Sequence, residues 1–212
     1  MLVEEVMQTN VVTISPQGTL YDALTATEDN NIRHLPVVIE DNELVGIIST
    51  TDLVEAKPPM DDCDQAHVLF TTKVKDLMVT NVITVHPLDH IDDVVDIFSN
   101  NKIGCVPVVS GKKLLGLVTE TDMWRALAKI LGVLNQGSLV KIEIPDEAGH
   151  IAKIGSIIYE EGMNITSILM TPPTEQQGHI MTLRLQSMDI RGTLKGLEEA
   201  GYKILWPQKG MV

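Results

Sequence analysis

The chain has 212 residues, enough to bury a sizeable core, and 44% of them are hydrophobic, which excludes a disordered chain. Aromatic residues supply only 3%, so the core must be aliphatic, drawn from Val, Ile, Leu and the ten Met. The formal net charge of −13, with no Lys/Arg cluster, argues against direct nucleic-acid binding, while small anions remain possible ligands at backbone N–H groups of helix N-termini.

In chain order, MLVEEVMQTN carries no basic stretch and no long apolar run, and nothing later is long and apolar enough for a membrane span. A cytoplasmic protein is expected. Cys63 and Cys105 match no metal or redox spacing and read as free thiols of a reducing compartment. The first predicted element is a short strand, VVTIS (11–15), closed by Pro16. A helix follows, its apolar stripe starting at Leu20, Ala23 and Leu24. Two Val/Ile-rich strands, HLPVVI and ELVGIIS, joined by EDN, then fit a hairpin. After them comes the helix that opens STTDLVEA.

The stretch 55–73, EAKPPMDDCDQAHVLFTTK, reads as an exposed connector. Its Asp61, Asp62, Asp64 and His67 meet no metal-ligand spacing, and a solvated linker is expected. Then the pattern returns. With residue 3 laid over residue 74, identities fall at Val3, Met7, Thr9, Asn10, Val11, Thr13, Pro16, Asp22, Asn30, Ile32, Pro36, Val37 and Val38. Past the turn, Leu44, Gly46, Thr51, Asp52 and Ala56 match Leu114, Gly116, Thr121, Asp122 and Ala126. The second helix shows Ile91, Val94, Val95 and Phe98 on one face. Each copy is thus β-α-β-β-α, and two copies sharing a core are sounder than one.

From about residue 138 the pattern changes. LVKIEIP, NITSILMTPP, HIMTLRLQSM and YKILWP read as strands; the stretches around HIAKIGSIIYEEG and DIRGTLKGLEEAG read as helices. The order β-α-β-β-α-β is the ferredoxin-like arrangement.

The duplicated unit, with HLPVV…GIISTTD and CVPVVSG…GLVTETD, resembles a tandem pair of CBS domains. The C-terminal unit, with PDEAGHIAKI before its first helix, resembles an ACT domain. The order CBS–CBS–ACT, with IRHLPVV, HPLDHI, IGCVPVV and LWP, is similar to AcuB-type acetoin-utilisation proteins. The expected fold is therefore α/β (α+β): a CBS pair of 1–60 and 74–131, a linker at 61–73, and a ferredoxin-like ACT domain at 138–208. The CBS resemblance implies a non-catalytic regulatory module with two clefts for adenosyl ligands such as AMP, ADP, ATP or S-adenosylmethionine. Both resemblances imply a homodimer at least.

For Ser49-x-x-Asp52 and Thr119-x-x-Asp122 two readings stay open. Each is close to a capping box and needs no ligand. Alternatively the resemblance makes Asp52 and Asp122 acceptors for ribose hydroxyls, with Thr51 and Thr121 beside them. Arg33 and His34 would meet phosphates, or simply enter a strand; Gly104 and Cys105 replace them in the second copy, so the clefts should differ. Gln8 and Val79 stand where many relatives carry Thr, and Thr51 and Thr121 where many carry Arg, which weakens phosphate binding. Val12, Ile47, Ile83 and Leu117 read as core first and as adenine walls by the resemblance. In the ACT-like unit, Asp146, Gly149, Ile151 and Asn164 would form an amino-acid site, or Asp146 is an ordinary N-cap.

No P-loop, nucleophile elbow or zinc signature is present, so no enzyme is expected. The leading expectation is a regulator that senses an adenosyl ligand and modulates a partner enzyme of carbon (acetoin-type) metabolism. The alternatives are a ligand-free dimeric scaffold and an amino-acid sensor acting through the ACT-like unit.

Overall fold

In a computed structural model, which describes residues 1–57, 65–173 and 178–208, the two hairpins form in matching register. Strand β1 (His34–Val38) pairs antiparallel with β2 (Leu44–Ser49), and β3 (Cys105–Ser110) with β4 (Lys113–Thr119). Each hairpin carries an irregularity at the same place, between Val37 and Val38 and between Val108 and Val109. Helices α1 (Leu20–Asp29), α2 (Thr50–Ala56), α4 (Ile91–Asn101) and α5 (Glu120–Ile130) supply the helical half of each copy. Thr19 starts α1 with a reciprocal cap: its hydroxyl accepts from Asp22 N–H at 3.1 Å, and the Asp22 carboxylate accepts from Thr19 N–H at 2.8 Å.

Two sequence expectations are corrected. The stretches 11–15 and 82–86 are extended but not regular strands; each makes one parallel bridge to its own hairpin, Ile14 to Val37 and Val85 to Val108. The polar flanks of the connector hid a helix, α3 (Gln65–Thr71), where Leu69 packs on the first copy's core and Phe70 lies 4.6 Å, ring to ring, from Tyr21 of α1. Asp61, Asp62, Cys63 and Asp64 lie outside the described residues. His67 is exposed on α3, and no metal-binding cluster of His, Cys, Asp or Glu occurs among the described residues.

The copies exchange their leading segments. Val3 is fully buried with Val85, Val94, Val106, Val108 and Val118 of the second copy. Val74 is fully buried with Leu20, Ala23, Leu35, Val37, Ile48 and Leu53 of the first. Each such valine contributes about 1.5–3 kcal/mol on burial. Backbone bonds secure the exchange: Gln8 and Leu117 trade N–H···O bonds at 2.9 Å, and Ile47 and Val79 trade theirs at 3.0 and 2.9 Å. Gly46 and Gly116 make room, since a Cβ on Gly116 would sit 2.8 Å from the Gln8 carbonyl oxygen, and one on Gly46 would meet Met78 Sδ at 2.6 Å.

The chain divides into two compact units, Met1–Trp124 and Arg125–Val212, the division falling within α5. In the second unit β5 (Ser138–Ile144), β6 (Ile165–Thr171), β7 (His179–Leu185) and β8 (Lys203–Trp206) form one antiparallel sheet in the order β6-β7-β5-β8. With α6 (His150–Glu160) and α7 (Arg191–Glu199), the connectivity is β-α-β-β-α-β. Val140, Ile142, Ile154, Ile158, Met181, Leu183 and Leu197 fill its core.

Candidate functional site

Strand β2 ends at Ser49, whose extended backbone (φ −107°, ψ 163°) turns into α2. The Ser49 hydroxyl accepts from Asp52 N–H at 3.3 Å. Asp52 Oδ2 accepts in return from Ser49 N–H at 2.8 Å and from the Ser49 hydroxyl at 2.7 Å. The capping box is therefore formed. It uses one carboxylate oxygen; among the described residues, no hydrogen bond reaches Asp52 Oδ1. Capping thus leaves an acceptor to spare.

Asp52 lines a cleft of about 430 Å³ within the first unit. The first copy contributes Arg33, His34, Ile47 and the run Ser49–Asp52. The second copy contributes Val79, Asn81, Val82 and Ile83 from its leading segment, then Lys102, Ile103, Gly104, Cys105 and Glu120. The exchange of leading segments brings these together, because the Ile47–Val79 bridge lays one copy's lead along the other's hairpin. Ile47, Val79, Val82, Ile83 and Ile103 supply the apolar part of the lining. Its polar lining comes from both copies, with Arg33, His34 and Asp52 from the first and Asn81, Lys102 and Glu120 from the second.

Two titratable groups here are perturbed. Burial, and then the neighbouring Arg33 charge, push His34 below the ordinary imidazole range, against the pull of Asp52 and Glu120. At neutral pH the Arg33–His34 pair therefore carries one positive charge, not two. Burial, helped by Asp122, pushes the Cys105 thiol up to about 12, so it is a packed side chain rather than a nucleophile. Arg33 and Lys102 balance Asp52 and Glu120 across the cleft.

The twin box is built identically. Asp122 Oδ2 accepts from Thr119 N–H at 3.0 Å and from the Thr119 hydroxyl at 2.7 Å. Its other oxygen differs: Asp122 Oδ1 accepts from the Gln8 side-chain amide at 2.8 Å, and Asp122 is only 4% exposed. Leu117 is buried, Thr121 is exposed, and Val12 packs against the first copy's core. The cleft thus gathers Arg33, His34, Ile47, Ser49, Thr51, Asp52 and Ile83, and its lining does not include Val12, Leu117, Thr119, Thr121 or Asp122. The sequence did not single out Asn81, Lys102 or Glu120. It marked Gln8 only as a departure, and the mismatch of Gln8 with Val79 was the available signal.

In the second unit Gly149, at φ +98°, is the residue that caps α6; Asp146 is not the cap and pairs instead with His179 Nε2 at 3.0 Å. The positive φ explains why glycine, not an acid, stands at the turn. Ile151 is exposed on α6. Asn164 lies at the other end of the sheet, where its amide reaches Gln186 Oε1 at 3.4 Å. Asp146 sits by the first residue of β7 and Asn164 beyond the last, so one chain does not bring these two together. At the Asn164 end is an open cavity of about 630 Å³, lined among others by Asn135, Thr166, Gln186 and Met188.

Against known proteins, a family model described as CBS domain matches residues 3–58 and 74–129. A CBS domain-containing protein of Dictyostelium discoideum is 32% identical over 135 residues, covering 61% of this chain and 93% of its own. An uncharacterized Methanocaldococcus jannaschii protein is 32% identical over 127 residues, which are 55% of this chain but 45% of that one. Among solved structures, a Vibrio cholerae protein provisionally assigned to acetoin utilization (AcuB) is 30% identical with TM-score 0.55, over 63% of this chain and 95% of that chain. The CBS domain pair of protein MJ0100, in complex with 5′-methylthioadenosine and S-adenosyl-L-methionine, is 29% identical with TM-score 0.52, over 60% and 96%. CBSX2 in complex with AMP is 26% identical with TM-score 0.53, over 61% and 97%.

Proposed function

The chain belongs to the CBS-domain family, and from that premise we propose that it is a regulatory, non-catalytic protein sensing an adenosyl ligand in the cleft that holds Asp52. The observation that carries this is Asp52, whose Oδ1 receives no hydrogen bond among the described residues, in the lining of a cleft of about 430 Å³, within the 300–1,000 Å³ usual for small-molecule sites. Asp52 accepts a ribose hydroxyl, Ile47 and Ile83 flank the adenine, and Arg33 meets the phosphate or carboxylate. Solved relatives carrying AMP, 5′-methylthioadenosine and S-adenosyl-L-methionine support the ligand class.

The balance of Arg33 and Lys102 against Asp52 and Glu120 favours a ligand of small net charge. AMP and S-adenosylmethionine fit; the triphosphate of ATP would crowd its charge against Glu120. Ligand binding draws the two repeats onto one molecule, and the second unit, read as an ACT-like pairing domain, passes the change to a dimer partner or a client enzyme. The likeness to the Vibrio cholerae protein suggests acetoin-type carbon metabolism as the setting. Calorimetry with AMP, ADP, ATP and S-adenosylmethionine is the test. Heat with AMP or S-adenosylmethionine, and weaker binding of ATP, is expected. A folded protein silent to all four at millimolar concentration would return it to the class of ligand-free scaffolds.

A further inference from the structure

The duplicated boxes differ at the second carboxylate oxygen. Asp52 and Asp122 both spend Oδ2 on their caps, but Asp122 Oδ1 also holds the Gln8 amide, 2.8 Å away. A carboxylate only accepts, so the Gln8 atom there is its N–H donor. Gln8 and Val79 are counterparts in the repeat, and their backbones are held alike, by Leu117 and by Ile47. The side chains differ: valine cannot donate, and among the described residues no hydrogen bond reaches Asp52 Oδ1, whereas the glutamine amide occupies the matching oxygen of a carboxylate that is 4% exposed.

We infer that Gln8 is a built-in occupant of the second cleft that the repeat would place at Asp122, its amide taking the place of a ribose hydroxyl there, so that each chain binds one adenosyl ligand. This rests on the adenosyl reading of the first cleft. A ligand entering the second cleft must break a charge-assisted bond before it makes one. Its binding there is weaker than at the first by about tenfold to a hundredfold.

The test is AMP titration of the full chain, by calorimetry and by native mass spectrometry. Wild type should take one AMP per chain and Gln8→Val two. The double variant Gln8→Val with Asp52→Asn should keep the single AMP of the second cleft. Gln8→Ala, which likewise has no side-chain donor, replaces Gln8→Val if the latter is not folded by circular dichroism. Two equal AMP sites in wild type, or a single AMP both in wild type and in a folded Gln8→Val protein, overturn the inference and leave the first-cleft reading standing. No AMP in wild type but one in Gln8→Val removes the first-cleft reading and upholds the role of Gln8. Silence in both proteins overturns both.

Discussion

At the scale of single residues, the cleft turns on how a carboxylate divides its two oxygens. Asp52 closes its capping box with one, and among the described residues no hydrogen bond reaches the other. Asp52→Asn preserves the shape and an acceptor for Ser49 N–H but removes the charge. Hydrogen bonds to charged groups are worth about 1.5–3 kcal/mol, so AMP should bind roughly tenfold to a hundredfold more weakly. Stability should fall by under about 1 kcal/mol, the scale of a helix cap. Calorimetry and melting together decide it: lost stability with unchanged affinity would make the cap the whole role of Asp52. His34 gives a pH prediction. Its folded pKa is depressed, first by burial and then by Arg33, so the folded state binds its proton less readily than the unfolded chain. Its contribution is fully present above the ordinary value of 6.5 and is lost as pH falls through 6.5 toward the lower folded value. Melting temperature should therefore drop more steeply below pH 6.5 in wild type than in His34→Gln; parallel curves would refute it.

At the scale of elements, the exchange of leading segments makes one folding unit of two repeats. Gly116 is where backbone comes closer, with the Gln8 carbonyl oxygen and Met7 Sδ each 2.8 Å from where a Cβ would lie. The methionine can move aside; the carbonyl is held by Leu117 N–H and cannot move without breaking the bridge. Gly116→Ala should cost roughly 1–3 kcal/mol, as overpacking does. Urea denaturation should show a lower midpoint, and an unchanged one would mean the segments shift freely. Hairpins and helices were legible because their patterns are local: Leu20, Ala23, Val94 and the Val/Ile runs sit in the core as their spacing requires. The stretches 11–15 and 82–86 were misread because β-branched residues favour an extended backbone whether or not a ladder forms. The exchange itself was invisible. Duplicated sequences look the same whether a lead packs on its own copy or its twin. Gln8 and Asp122, 114 positions apart, meet only because of it.

For the whole molecule, the question is which of the two compact units carries ligand stability. The cleft lies wholly within Met1–Trp124. A ligand that binds only the folded state stabilises it by RT ln(1 + [L]/Kd), about 2.7 kcal/mol at a hundredfold excess over Kd. For a unit of this size that raises the melting midpoint by roughly 10 °C. At the same AMP concentration, an Asp52→Asn protein weakened tenfold to a hundredfold keeps only about 0.4–1.4 kcal/mol, so its shift should shrink to half or less. Hydrogen exchange locates the effect. Added AMP should slow exchange most in peptides spanning residues 33–52 and 79–105, which hold the Asp52 turn and most of the cleft's apolar lining. Coupling to a dimer partner would add protection elsewhere without removing it there. Protection centred on residues 138–208, with none around Asp52, would move the sensing site to the second unit and leave the CBS pair as scaffold.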